Sequence, residues 1–237
     1  MDITNLKIKL YSDGADINDI KKIMGTNYIS GITTNPSLLK KAGVDNYKKF
    51  AERLVSLYPD VDISFEIFSD DLDEMEEQAS LLQSMGKNVH VKIPIITTSG
   101  KSTRNIIKKL SEKGINVNVT AVTTIEEVDD ALSSFSDRTN NIISLFIGRL
   151  NDKFINTKSL IEQSIQHSKK YQNVQMLWAS TREVYDIKKA EIAGFDIITV
   201  PPTMLEKLEL PDKTAKQISI DTVKGFQKDI KLSGLTI

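Results

Sequence analysis

Lys92 stands in the run Asn-Val-His-Val-Lys-Ile-Pro at 88–94, where apolar residues alternate with His90 and Lys92. Successive side chains of a strand point to opposite faces, so Val89, Val91 and Ile93 turn one way and His90 and Lys92 the other. The same alternation sets Ser64, Glu66 and Phe68 against Ile63, Phe65 and Ile67. It sets Asn116, Asn118 and Thr120 against Val117 and Val119, and Ser144 and Phe146 against Ile143, Leu145 and Ile147. Four consecutive strand candidates thus aim Glu66, Lys92, Asn118, Thr120 and Ser144 at one interior. Asp13 ends an earlier strand candidate, and Thr33-Thr34-Asn35 follows another.

Such a set suits carbonyl chemistry. An ammonium is no nucleophile, but a lysine among dry, uncharged walls loses proton affinity and attacks a carbonyl carbon. The carbinolamine must then shed water, which needs a carboxyl group to shuttle protons. Glu66 on the adjacent strand is placed for that, directly or through a water held by Thr120. Asp13 would remove a substrate hydroxyl proton and so drive carbon–carbon cleavage, with the iminium draining the electron pair into an enamine. Asn35, Asn118 and Ser144 can hold sugar hydroxyls. Arg149 follows the sixth strand candidate, and Ser180 and Arg182 follow the seventh. Loops in that part of a barrel often bind phosphate, and guanidinium forks match its oxygens.

Each residue also has a plainer reading. Lys92 and Glu66 could be a buried ion pair that fixes packing. Asp13 before Gly14 suits a turn or helix cap, Asn35 before Pro36 could simply start a helix, and exposed arginines often only solvate a surface. Against the ion-pair reading stands the number of costly buried polar groups it must explain together.

Eight short β-rich runs position these residues: Lys7–Ser12, Gly31–Thr34, Asp62–Phe68, Asn88–Pro94, Asn116–Thr120, Asn141–Ile147, Val174–Ala179 and Phe195–Val200. Helical periods lie between them. Leu72, Met75, Ala79 and Leu82 mark one, Tyr47, Phe50 and Leu54 another, and Leu160, Ile161, Ser164 and Ile165 a third. Asp45 and Asp71 sit where N-caps belong, and Gly86, Gly114 and Gly194 where helices should stop. This alternation predicts an α/β fold, a (β/α)8 TIM barrel forming a single domain over 1–237. An open doubly wound sheet is the competitor, but its dinucleotide fingerprint G-x-G-x-x-G is absent. A further helix over about 212–231, carrying Ile218, Val223 and Phe226, is more than a barrel needs. It is expected to pack across the barrel or onto a neighbouring subunit.

Composition narrows the function classes. The 237 residues are 40% hydrophobic, enough for a sizeable core, and carry a net charge of −1. Nothing in that balance suggests nucleic acid, which calls for a basic stripe. With no cysteine, disulfides and thiolate chemistry are excluded, and two histidines cannot alone build a His-rich zinc site, so no metal and no cofactor is expected. A polar N-terminus and the lack of a run of roughly 20 apolar residues lead to the expectation of a cytoplasmic protein without a membrane partner. Gly100-Lys101-Ser102 lacks the earlier glycine of a P-loop, and Asp13–Asn18 lacks the EF-hand glycine.

Taken in order and spacing, ITTNPSL (Ile32–Leu38), SFE (Ser64–Glu66), VKIP (Val91–Pro94), NVT (Asn118–Thr120), SLFIGR (Ser144–Arg149) and ASTR (Ala179–Arg182) resemble the transaldolase family. The resemblance runs from Asp13 to the last strand. It implies a barrel with Lys92 as Schiff-base lysine and with Asp13 and Glu66 in proton transfer. It further implies that Thr33, Asn35, Asn118, Thr120, Ser144 and Phe146 surround the dihydroxyacetone unit and the catalytic water, and that Arg149, Ser180 and Arg182 contact phosphate. The implied substrates are phosphorylated sugars. Sedoheptulose 7-phosphate and glyceraldehyde 3-phosphate would give erythrose 4-phosphate and fructose 6-phosphate, as in the pentose phosphate pathway. Short members of the family form homo-oligomers, often decamers. Leu145 stands where proline is common. The related fructose 6-phosphate aldolase branch tends to have Gln at the position of Glu66 and Tyr at that of Phe146, and does not keep the NVT asparagine. A phosphosugar-binding protein without catalysis is the reading from another class.

Overall fold

A computed structural model describes residues 6–210 and 213–234. Strands β1 (Lys9–Asp13), β2 (Ile29–Thr33), β3 (Asp62–Glu66), β4 (Val89–Pro94), β5 (Val117–Val122), β6 (Asn141–Leu145), β7 (Val174–Trp178) and β8 (Ile197–Val200) close into a barrel in chain order. Every neighbouring pair is parallel, and β8 pairs with β1. The closed TIM barrel therefore replaces the open-sheet alternative. Between and after the strands run α1 (Ile17–Met24), α2 (Pro36–Lys41), α3 (Tyr47–Leu57), α4 (Leu72–Gln83), α5 (Arg104–Glu112), α6 (Ile125–Leu132), α7 (Ile147–Asn151), α8 (Lys158–Ser168), α9 (Asp186–Ala193), α10 (Pro202–Leu205) and α11 (Ala215–Ser233). Among the described residues no helix is long and apolar enough to cross a membrane.

The alternation separates two apolar layers. Ile63, Phe65, Val89, Val91, Ile93, Val117, Val119, Ile143 and Leu145 join the layer between barrel and helices, with Met75, Ala79 and Leu82 of α4 and Phe50 and Leu54 of α3. Inside the barrel Tyr11, Ile142, Leu177, Ala179 and Ile197 form a smaller cluster. Filling the interior with side chains makes the barrel a floor for a site, not a pore.

Local chemistry sets the helix ends, with some differences from the expected ones. Asp71 caps α4 as predicted, accepting from the backbone N–H groups of Asp73 and Glu74. Asn46, not Asp45, caps α3 by accepting from Lys49 N–H. Gly194 ends α9 in the left-handed conformation that glycine adopts freely. Strand β3 ends at Glu66, so Phe68 leaves the interior, lies 53% exposed and stacks on Tyr47. Strand β5 runs beyond Thr120 to Val122 through a bulge, with Ala121 at φ +60. Such a bulge at a barrel rim bends the strand next to the site.

Gly31 is needed for its lack of a side chain. A Cβ there would lie 2.4 Å from the Tyr11 ring. That ring is fully buried and held over Gly31 by its hydroxyl, which donates to Asp62 Oδ2 on β3 at 2.7 Å. Gly31→Ala should therefore overpack the interior and lower stability by about 1–3 kcal/mol. Urea unfolding would measure this, and an unchanged midpoint would show that the ring shifts without cost.

The additional C-terminal helix is present, and of its two expected packings the structure excludes the one across the barrel. The predicted starting residue, Asp212, lies outside the described residues; α11 begins at Ala215 with a capping box made by Thr214 and Gln217. It does not pack across the barrel, since none of its residues is buried. Ile218, Val223, Phe226 and Leu232 are 55%, 56%, 62% and 76% exposed.

Candidate active site

A cavity of about 410 Å³ opens at the C-terminal ends of the strands. Asp13, Thr33, Asn35, Glu66, Lys92, Ser144, Phe146, Arg149, Ser180 and Arg182, all named from the sequence, line it together. Strand register produces much of the arrangement. Glu66 stands beside Lys92 and Lys92 beside Asn118, while Asp13 stands beside Thr33.

Lys92 is only 6% exposed. Its Nζ lies 2.9 Å from Glu66 Oε2 and donates to the Thr34 carbonyl at 3.2 Å. The backbone carbonyl of Glu66 accepts from the Tyr47 hydroxyl at 2.9 Å, which ties the end of β3 to α3. Asp13 does not cap a helix; Asp16 caps α1 instead. Thr33 Oγ1 donates to Asp13 Oδ1 at 2.7 Å. Burial pushes the Asp13 carboxyl above its ordinary range; the Lys92 charge and the Thr33 hydroxyl pull it back, and Glu66 pushes it further up.

Asn35 combines its two readings. Its Oδ1 caps α2 by accepting from Leu38 N–H at 3.0 Å, while the residue also lines the cavity. The carboxamide nitrogen is the half left for a ligand.

Asn118 and Thr120 are not among the residues that line the cavity. Asn118 is fully buried: its Nδ2 donates to Ser64 Oγ at 3.0 Å, and its Oδ1 accepts from Ser144 Oγ at 2.7 Å. The chain Ser144–Asn118–Ser64 thus links β6, β5 and β3. Thr120 Oγ1 is buried and, among the described residues, without a hydrogen-bond partner. A buried hydroxyl in that condition is costly unless a water reaches it.

At the rim the arginines are held by close backbone approach. A Cβ on Gly148 would lie 1.6 Å from the Ser180 carbonyl oxygen, so only glycine lets α7 press against the loop after β7. Ser180 itself adopts φ +65, a conformation uncommon outside glycine and frequent at functional sites. The contact brings Arg149 on α7 to the same rim as Arg182. Arg149 lies over the Phe146 ring at 5.6 Å from its centre. Arg182 turns Nε and Nη2 to Asp152 Oδ2 at 2.9 and 2.7 Å, which holds the Asp152 carboxyl below its usual range.

Thr199, Ala179, Ser37 and Pro36 line the cavity without having been anticipated. Thr199 was within reach of the sequence, because alternation along Ile-Ile-Thr-Val puts it on the same face as Ile197. Ser64 and Asp152 act behind the lining; alternation turns Ser64 inward without naming its partner, and no local pattern marks Asp152.

A parallel eight-stranded barrel with a lysine–carboxylate pair at its C-terminal mouth defines a barrel enzyme scaffold of the aldolase type. The chain belongs to the transaldolase/fructose-6-phosphate aldolase family, whose model matches residues 10–235. It is 35% identical over 203 residues to a protein of Caldicellulosiruptor saccharolyticus named "Probable transaldolase", covering 85% of this chain and 89% of the other. A protein of the same name from Dehalococcoides mccartyi is 33% identical over 202 residues, covering 85% and 90%. Among solved structures, 2,3-dimethylmalate lyase, a PEP mutase/isocitrate lyase superfamily member, superposes with a TM-score of 0.56 at 10% identity. That alignment covers 98% of this chain and 86% of the other, and at this identity it speaks for the barrel fold alone.

Proposed function

We propose that this aldolase-type enzyme is a transaldolase, moving a dihydroxyacetone unit from a phosphorylated ketose to a phosphorylated aldehyde through a Schiff base on Lys92. The observation that carries the reading is the Lys92–Glu66 pair in one cavity with Asp13, with two arginines at the rim.

In this reading Lys92 passes a proton to Glu66, and its amine attacks the ketose carbonyl carbon. The new C–N bond gives a carbinolamine. Glu66 returns a proton to the leaving hydroxyl, through a water at Thr120, and water departs to leave the iminium. Asp13 takes the proton of the C4 hydroxyl, the C3–C4 bond breaks, and its electron pair enters the iminium to form an enamine. The shortened aldehyde leaves. An acceptor aldehyde then meets the enamine carbon; the new C–C bond forms, and Asp13 gives its proton to the nascent alkoxide. Hydrolysis of the iminium frees the new ketose and Lys92. Asn35 and Ser144 hold hydroxyls of the unit, Asn118 braces Ser144, and Arg149, Ser180 and Arg182 hold the phosphate. The same reading places the protein in the cytoplasm, as a homo-oligomer in which a second copy covers the apolar side chains of α11.

Transfer, more than release, is the expected outcome. Releasing free dihydroxyacetone requires a proton at the enamine carbon, and Phe146 offers no hydroxyl from the wall. A difference of ~1.4 kcal/mol between the two barriers biases the partition tenfold. Fructose 6-phosphate supplied with erythrose 4-phosphate should give sedoheptulose 7-phosphate faster than fructose 6-phosphate alone gives dihydroxyacetone. Phe146→Tyr and Glu66→Gln should each move the ratio toward release. If release without acceptor matches transfer, the fructose 6-phosphate aldolase reading replaces this one.

A further inference from the structure

The hydroxyls of Thr33 and Thr199 form a chain that ends on Asp13. Thr33 Oγ1 lies 2.7 Å from Asp13 Oδ1 and 2.5 Å from Thr199 Oγ1. A hydroxyl has one hydrogen to give, and an ionised carboxylate can only accept. The Thr33 hydrogen therefore points at Asp13, and the hydrogen between the two threonines comes from Thr199. Both threonines are almost fully buried, at 2% and 4% exposure, so bulk water does not compete for these bonds. The chain draws on three neighbouring strands: Asp13 pairs with Thr33 across β1 and β2, and β8 lies on the other side of β1.

We infer that Thr199 is a positioning residue for Asp13: by donating to Thr33 it fixes the direction in which Thr33 donates to Oδ1 and leaves Oδ2 as the oxygen that meets the substrate. The inference rests on Asp13 acting as the proton acceptor in the proposed reaction. It adds a role for a residue of the last strand that touches no reacting atom. A donor that is itself receiving a hydrogen bond is a stronger donor, because linked hydrogen bonds polarise one another. Thr199 thus reinforces the hydrogen bond that favours the carboxylate form of Asp13. The charged groups acting on Asp13 are Lys92 from β4, which favours the same form, and Glu66 from β3, which opposes it. Thr181 Oγ1 donates to the Thr199 backbone carbonyl at 2.7 Å, which anchors the backbone and leaves the Thr199 side chain for this contact.

The test compares Thr199→Val, which keeps the shape and removes the hydroxyl, with Thr199→Ser, which keeps the hydroxyl. Two steps are read separately in the full-length protein. The first is borohydride trapping of dihydroxyacetone on Lys92, which needs no carbon–carbon cleavage. The second is cleavage of fructose 6-phosphate as a function of pH. Thr199→Val should trap dihydroxyacetone like the parent yet lose about tenfold in kcat for cleavage, with KM little changed. Its acidic limb should move to higher pH, since Asp13 is then less easily ionised. Thr199→Ser should stay close to the parent in both. Thr33→Val should lose at least as much, and adding Thr199→Val to it should cost nothing more. A parental pH profile and rate in Thr199→Val would overturn the inference. So would equal losses in the Val and Ser variants, which would assign the effect to the threonine methyl group. Should the Val variant fail to fold, Thr199→Ala against Thr199→Ser supplies the same comparison. Failure of the parent itself to trap an adduct on Lys92 would instead count against the proposed reaction.

Discussion

Lys92→Ala is expected to lower turnover by roughly 10³-fold or more, because the covalent route through the Schiff base is closed. Incubating the parent protein with fructose 6-phosphate and borohydride should fix a three-carbon adduct on the peptide that contains Val91–Pro94. Two features make Lys92 the candidate for that adduct. It is the cationic partner of Glu66 at 2.9 Å, and it opens into the same cavity as Asp13. The variant needs a structural control, since its removal leaves Glu66 at 17% side-chain exposure without its partner. Losing one member of a buried pair destabilises a fold. Lys92→Met preserves more volume, and its unfolding midpoint shows whether the loss is chemical. An adduct on another lysine, or full activity in either variant, would remove Lys92 from the mechanism. Chelators should leave the parent's rate unchanged.

Arg182→Ala should lose about 10–150-fold in kcat/KM with a phosphorylated donor, the equivalent of one charge-assisted hydrogen bond of about 1.5–3 kcal/mol. With an unphosphorylated donor such as fructose the loss should be far smaller. The side chain is pre-aimed. Asp152 accepts from Nε and from Nη2, which holds the guanidinium at the rim beside Ser180; in the proposed reading its other N–H groups meet the phosphate oxygens. Exposed pairs of this kind contribute little to stability, and Arg182 and Asp152 are 46% and 49% exposed. The variant should therefore fold as well as the parent. Equal losses on both donors would show that Arg182 supports structure or chemistry, not the phosphate.

Much of this was legible before any coordinates. Eight apolar runs alternating with helical periods specify a parallel α/β fold and favour a barrel, because a parallel strand needs a crossover helix and each strand's outer face needs a layer to bury it; closure itself came with the pairing of β8 and β1. The strict two-residue period then names the inward side chains one by one. That is why Glu66, Lys92 and Ser144 could be read from valine and isoleucine alternation alone. The reading loosened where the period stops. Phe68 lies beyond the end of β3, and its inward assignment failed there. The bulge at Ala121 continues β5 past the point where alternation could be followed.

What remained hidden depends on depth and on distance along the chain. Parity places His90, Lys92, Asn116 and Asn118 on the same inner face. Yet His90 and Asn116 line a polar cavity at the opposite end of the barrel, and Asn118 is sealed between Ser64 and Ser144. Level along the barrel axis comes from strand stagger, which no single strand encodes. Thr199 and Asp152 reach their partners across 166 and 30 residues of chain, so alternation can turn Thr199 inward but nothing local names the partner of either. The close approach of Gly148 to Ser180 likewise exists only once β6 and β7 lie side by side. By itself the sequence determined the alternation of strands and helices and most of the inward faces, because these follow from side-chain period and residue type, while the resemblance to the family rested on its ordered motifs. Only the tertiary structure decided which inward groups share one cavity, which of their atoms are already engaged by neighbours, and that α11 leaves the barrel uncovered. Those are properties of distances between segments that chain order does not contain.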